Sequence, residues 1–513
     1  MTASDSPVLT ADGTPLKASL RRALRREKAR AFLLVAPLLL FVLLTFIAPI
    51  ADMLFRSVEN GIVHETIPRT VQALQDWDPE QGGPPGDEVY EAFYTDMVFA
   101  VERKSHTRLG SRLNYERTGL ASLFRKSGRR VGRFDTKDYA DAFNTLDPAW
   151  EDPATWDALA GSERTSLPRT ASAYATWREA VRADGDDPLE EEPWDVLYAA
   201  LHADLMRAPS GGFDNPLLND AQSAAARFEP VSLREQFGAI DEDWLDPEVW
   251  RTIRTYAGRY TPGYFLNSVD LKLTADGVQY RDEGDRIYIL LFGRTLYMSL
   301  VITISCILLG YPVAFLLANL PLRTANILMI LVLLPFWTSL LVRTSSWKVL
   351  LQQQGVINDI LVALRIVDDA SRLILINNQT GTIIAMTHIL LPFMILPLYS
   401  VMKTIPPSYV RAAKSLGATD WTAFWRVYFP NSVPGIGAGS VLVFILAIGY
   451  YITPELVGGT RGVFISNRIA YHISSSLNWG LAAALGTILL FAVLILYWTY
   501  DRIVGIDNVK LGG

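Results

Sequence analysis

Ala31 to Ile50 is an apolar run interrupted by a single hydroxyl, at Thr45. As an α-helix, twenty residues rise about 30 Å, the thickness of a bilayer's hydrocarbon core. In that medium every backbone N–H and C=O must be satisfied within the chain, so a span of this length is a helix. Basic residues precede it (Lys17, Arg21, Arg22, Arg25, Arg26, Lys28, Arg30), and it ends in Pro49, Asp52 and Arg56. A cleaved signal peptide is the competing reading. Its apolar part is roughly 7–15 residues, followed by a small-x-small cleavage site. The longer run here predicts a retained membrane helix over 31–56.

Five more apolar spans follow Arg286: about 294–320, 324–350, 380–402, 433–454 and 480–501. With the first they make six, and they predict an all-α membrane protein. The basic tail 1–30 sets the N-terminus in the cytoplasm, because positive charge stays inside. Alternation then puts 57–286 outside, 403–432 inside and the C-terminus inside. The 403–432 loop carries Lys403, Arg411, Lys414 and Arg426, as an inside loop should.

The charge is split along the chain. Residues 57–286 hold 42 acidic and 25 basic side chains; the whole chain holds 53 and 47. An acidic segment is therefore set in a basic frame, as two compartments would favour. The segment reads as a soluble, mainly helical domain inserted between the first and second spans. Ala171–Ala183, Trp194–Ala208 and Pro247–Arg259 place apolar residues at helical spacing. Ser232 and Glu235 fit a capping box. Leu271–Tyr280, with Asp276-Gly277 at its turn, predicts a hairpin. Seven tryptophans (Trp77, Trp150, Trp156, Trp177, Trp194, Trp244, Trp250) predict a packed core. No internal repeat stands out. The one cysteine, Cys306, excludes an intrachain disulfide.

Pro406–Gly435 is the segment that speaks to function. Pro406-Pro407 cannot continue the preceding span but can open a new helix. Gly417 sits where a left-handed C-cap belongs, and Thr419 or Asp420 can cap a second helix. That helix is predicted to reach Phe429 and stop before Pro430. Trp421, Phe424, Trp425 and Tyr428 would form one aromatic face. The small residues Ala412, Ala413, Gly417 and Ala418 let another protein approach closely. A rigid helix–turn–helix joined to two membrane spans is the shape of a mechanical coupling element.

This segment resembles the signature loop of binding-protein-dependent ABC importer permeases: Glu-Ala-Ala, three residues, Gly, then about nine residues and a hydrophobic-x-Leu-Pro run. Ala412-Ala413, Leu416-Gly417-Ala418, Phe424, Pro430 and Pro434-Gly435 fall at the family spacing. Arg411 stands where the family has Glu, and Phe429 where it has Leu. Leu334-Pro335-Phe336-Trp337-Thr338, Leu390-Leu391-Pro392-Phe393, Pro397-Leu398-Tyr399 and Leu456-Val457-Gly458-Gly459 look like the first permease subunit of spermidine/putrescine-type importers. The likeness covers about 294–505; the insert has no counterpart. It implies a permease core over 287–505 in the bacterial inner membrane, with the insert periplasmic. It implies a second permease subunit, ABC ATPase subunits docked on the 403–432 loop, and a periplasmic binding protein that delivers a small organic solute such as a polyamine.

No GxxxxGK[ST] occurs, so ATP hydrolysis falls to a partner chain. The chain itself reads as no enzyme and calls for no metal and no other cofactor. Gly435-Ile436-Gly437-Ala438-Gly439 opens a membrane helix rather than following a strand, which predicts close helix packing. A nucleic-acid role is excluded for a helix–turn–helix tethered to two spans. Candidate pathway residues are Trp337, Arg343, His388, Tyr450, Tyr451 and Glu455: aromatic faces and a carboxylate suit an organic cation. Interfacial anchoring and helix packing compete for each. Lys348 and Asp52 fit interfacial positions. The rival functional class is a membrane receptor whose insert binds a ligand and signals through the loop.

Overall fold

The computed structural model describes residues 16–209 and 211–504, with side chains from Leu24 to Arg502 except at 81 and 210. The start of the basic tail and the chain end beyond Val504 lie outside the described residues. Among the described residues, five helices are long and apolar enough to cross a membrane, and a bent pair makes a sixth candidate. They are α1 (Leu24–Arg56), α2 (Tyr288–Asn319), the pair α3 (Leu322–Leu333) and α4 (Leu340–Leu350), α5 (Gln379–Thr404), α7 (Asp420–Gly449) and α10 (Trp479–Val504). Shorter helices in this part include α6 (Pro407–Ser415), α8 (Ile452–Val457) and α9 (Ile465–Ser474).

Two expected spans differ. The 324–350 span is not one helix: α3 and α4 are bent by 94°. Pro335 has no N–H to give and its ring crowds the preceding turn. The chain tightens into a short 3₁₀ turn, Leu334–Trp337. Thr338 returns both its N–H and its hydroxyl to the Pro335 carbonyl, and Ser339 caps α4 by accepting from Val342 N–H. The 433–454 span instead begins at Asp420 and ends at Gly449. Pro430 does not stop the elbow's second helix. A π turn, Phe424–Tyr428, lies immediately before it. The widened turn shifts the hydrogen-bond register and absorbs the missing donor.

The glycine-rich start of α7 packs as expected. A Cβ on Gly435 would meet Val401 at 3.0 Å, one on Gly439 would meet Met394 Sδ at 2.6 Å, and one on Gly437 would crowd the Tyr500 hydroxyl of α10. α2, α5 and α7 therefore enclose a core of Met298, Ile302, Cys306, Met386, Leu390, Met394 and Val443.

The segment between α1 and α2 is a helical domain. Trp150, Trp156, Trp177, Trp244 and Trp250 are fully buried in it, with Trp77 and Trp194 packed at the edge. The hairpin forms, Leu271–Thr274 paired antiparallel with Gly277–Tyr280. Ser232 caps its helix by accepting from Glu235 N–H.

An internal repeat does exist in this domain. Ile67-Pro68-Arg69-Thr70 opens a run ending at Trp77, and Leu167-Pro168-Arg169-Thr170 opens one ending at Trp177. One Asp96 carboxylate oxygen accepts from the N–H and hydroxyl of Thr70 at 2.8 Å each. Asp204 does the same for Thr170, at 2.8 and 2.9 Å. Trp150 and Trp244 each accept, through the carbonyl, from the indole N–H six residues on (Trp156, Trp250), both at 2.9 Å. The copies are interlaced: Tyr90 of the first donates to the Trp244 carbonyl, and Tyr198 of the second to the Trp150 carbonyl. Each half completes the other's core.

The domain is also bolted to the membrane helices. Asp270 accepts from the backbone N–H groups of Ile287, Tyr288 and Ile289 at 2.9–3.0 Å, capping the start of α2. Tyr115 donates to the Ser476 carbonyl.

Candidate functional site

The elbow is built as its sequence predicts up to Ala423. Pro407 opens α6. Gly417 is left-handed (φ +89°), and the bonds Gly417 N–H to Lys414 O (2.9 Å) and Ala418 N–H to Ala413 O (3.1 Å) close α6 as a Schellman motif. Thr419, not Asp420, is the N-cap: its hydroxyl accepts from Thr422 N–H. Asp420 instead pairs with Lys414 across the turn. The two helices are thus locked to each other.

The predicted aromatic face is divided. Phe424 and Tyr428 turn inward, their rings 5.7 and 5.1 Å from that of Phe315 on α2. Tyr311 of α2 holds the Ser432 hydroxyl at 2.9 Å. Trp421 is 72% exposed and Trp425 also faces out. The π turn that carries the helix past Pro430 is what separates these rings. The signature residues divide likewise. Arg411, Ala412, Leu416, Gly417 and Pro430 are exposed, Leu416 at 89%. Ala413, Ala418, Phe424 and Pro434 are half-buried, and Gly435 is buried against α5. Beside Trp421, an apolar hollow of about 420 Å³ opens between Tyr311, Pro312, Phe315 and Phe424. An exposed tip on a locked base, continuous with α5 and α7, can pass a push at the tip directly into the bundle.

The pathway candidates fall into two groups and an outlier. Trp347 of α4 donates its indole N–H to Nδ1 of His388 on α5 at 3.0 Å. That bond fixes the proton of a neutral His388 on Nε2. Arg343, one turn before Trp347, acts electrostatically on both His388 and Tyr450, and its Nε and Nη1 are buried without a partner. Thr344 and Thr453 share a hydrogen bond of 3.1 Å that pins α4 to α8. The second group is joined by Asn467 of α9, whose amide donates to Glu455 Oε2 at 2.6 Å and to the Tyr451 carbonyl at 2.9 Å. Trp337 lies apart, 77% exposed at the α3–α4 break. Asn467 had no sequence signal: an asparagine in a polar loop says nothing until α8 and α9 are packed together. Among the described residues, no His, Cys, Asp and Glu group could hold a metal ion.

The glycines of Leu456-Val457-Gly458-Gly459 admit the start of α5. A Cβ on Gly458 would stand 2.5 Å from Thr382 Oγ1, and one on Gly459 2.8 Å from the Asn377 carbonyl.

Residues 307–504 match the model for the binding-protein-dependent transport system inner membrane component. The spermidine/putrescine transport system permease protein PotB of Salmonella typhimurium is 35% identical over 222 residues, which is 43% of this chain and 77% of that protein. The chain belongs to this family of ABC importer permeases. PotB of Haemophilus influenzae is 36% identical over 42% of this chain and 76% of its own length. The inner membrane ABC transporter permease protein YdcU of Escherichia coli is 31% identical over 49% of this chain and 82% of its own.

The permease is thus a multi-pass transporter subunit and not an enzyme. The family match begins within α2 and ends at the last helix, so the domain between α1 and α2 lies outside it.

Proposed function

We propose that this permease passes a small organic cation, a polyamine such as spermidine or putrescine, across the inner membrane. A periplasmic binding protein delivers the solute and separate ATPase subunits drive the cycle. α1 is the first transmembrane helix, 57–286 is a periplasmic insert, and both termini and the elbow face the cytosol. A second permease subunit completes the pathway.

The observation that carries this reading is the elbow. Its tip is exposed, its two helices are locked by a Schellman turn, a threonine cap and an ion pair, and it runs without a break into α7. A nucleotide-driven partner seated on Arg411, Ala412, Leu416 and Gly417 moves α5 and α7 together. The coupling is thermodynamic: nucleotide and loaded binding protein favour different states of one bundle.

The polyamine assignment is supported by the relatives' substrates and by Glu455, an exposed carboxylate beside Tyr451. Carboxylate and aromatic face are what a primary ammonium seeks. Arg343, His388 and Tyr450 form a second wall of the pathway, where the arginine's charge keeps the cation toward Glu455. Reconstitution of the complex in vesicles, with radiolabelled spermidine and putrescine against amino acid and sugar controls, tests the reading. ATP-dependent uptake of the amines alone is expected; uptake of the controls but not the amines overturns the substrate class.

A further inference from the structure

Where the insert meets α1 and α10 there is a cavity of about 640 Å³. Its lining includes Arg56 at the end of α1, Glu59 and Glu65 just after it, Arg108 and Arg112 from the insert helix His106–Asn114, and Trp479 at the start of α10. Arg112 is 94% buried, since its side chain is only 6% exposed. Its Nε donates to Asn60 Oδ1 and to the Tyr264 hydroxyl, and its Nη1 pairs with Glu116 at 2.6 Å, but its Nη2 is buried with no partner. Arg108, one turn earlier on the same helix, lines the same cavity and makes no ion pair among the described residues.

We infer that this cavity holds the headgroup of a zwitterionic phospholipid, a phosphate bearing a primary ammonium. The guanidinium of Arg108 would take the phosphate oxygens, which suit a fork of N–H donors. Glu59 and Glu65 would take the ammonium. A simple anion leaves the carboxylates unmatched, and a simple cation leaves Arg108 unmatched. The place in the fold selects a lipid over a dissolved zwitterion. Arg56 lies six residues beyond the apolar run, about 9 Å along the helix, at the outer edge of the headgroup layer. Trp479 and Leu477 rim the cavity and are more than half exposed, an apolar edge of the kind that sits at a bilayer interface. The inference depends only on α1 and α10 crossing the membrane, and not on the substrate.

The test is native mass spectrometry of the purified, intact complex, delipidated and then offered phosphatidylethanolamine, phosphatidylglycerol or phosphatidylcholine. Phosphatidylethanolamine should be retained best, at one tight copy per chain. Arg108→Ala and Glu65→Gln, both at the cavity lining, should each lower its occupancy at least fivefold, while Arg108→Lys restores part of it. Equal retention of all three lipids, or unchanged occupancy in both variants, overturns the proposal. So does displacement of the lipid by soluble glycerophosphoethanolamine at micromolar concentration, which would make the ligand a dissolved solute.

Discussion

The ring of Tyr264 fills the space that a side chain on residue 480 would need: a Cβ built on Gly480 would stand 2.4 Å from two of its carbons. This contact joins the insert to the first turn of the last membrane helix. The same tyrosine receives the Arg112 guanidinium on its hydroxyl at 2.8 Å and against its ring face. The insert is therefore no loose appendage. Gly480→Val should force the two apart at a cost of about 1–3 kcal/mol. Limited proteolysis of the purified permease should show faster cleavage between 57 and 286; an unchanged cleavage rate would mean that the junction is not held there.

The interlaced repeat makes a quantitative prediction. Tyr90 and Tyr198 play the same part in opposite halves. Each phenylalanine substitution removes one buried donor from a tryptophan carbonyl, a loss of about 1 kcal/mol. Thermal unfolding followed by tryptophan fluorescence should show nearly equal downward shifts for Tyr90→Phe and Tyr198→Phe. A shift in one alone would mean that the halves are not energetically equivalent.

His472 supplies a pH dependence. Burial first, and the charge of Arg468 second, hold its imidazole down to about 4, against an ordinary value near 6.5. Folding thus disfavours the protonated ring. The stability it contributes is intact above about pH 6.5 and declines as the pH falls towards 4, by up to about 3 kcal/mol. Its partners, Tyr288 and the Ser476 hydroxyl, tie the α9 region to the junction. Detergent-solubilised protein should lose melting temperature between pH 6.5 and 4.5, and His472→Gln should flatten that slope. An equally steep slope in the variant would place the sensitivity elsewhere.

Glu455 tests the proposed substrate contact. Glutamine keeps an oxygen for the Asn467 amide while removing the charge, so the local fold persists. Spermidine uptake should fall about tenfold or more in Glu455→Gln, with nucleotide hydrolysis by the partner subunits retained. Wild-type uptake would remove Glu455 from the pathway.

How much of this was legible in the chain varies with the distance over which each feature is determined. The elbow's Pro407, Gly417 and Thr419 act within a few residues, and the structure places each as read. Where a second local effect intervened, the reading failed. Pro335 breaks a span whose hydropathy looks continuous, and the π turn at Phe424–Tyr428 carries a helix through Pro430 and sends Trp421 and Tyr428 to different surroundings. The repeat was hidden because few residues persist at matched spacing: Pro-Arg-Thr with its tryptophan, one tyrosine, one aspartate and the Asp-x-x-Trp-x-Asp-Pro-x-x-Trp runs at 147–156 and 241–250. The group Arg343, His388 and Tyr450, proposed to line the pathway, needs three helices to be packed before it exists.

Gly417 carries the mechanical reading. Proline cannot adopt φ +89°, so Gly417→Pro should break the locked turn. The protein should still reach the membrane, while ATP hydrolysis no longer drives uptake. Unchanged uptake in this variant counts against a coupling role.

The most direct measurement places a single reactive thiol at the tip of the elbow. Cys306 is buried, so Leu416→Cys is the accessible thiol among the described residues. In inverted vesicles of cells expressing the whole complex, that thiol should crosslink to an ATPase subunit, with a yield that changes when ATP is added. Labelling of the same thiol by a membrane-impermeant maleimide from the periplasmic side, with no ATPase captured, would contradict the account.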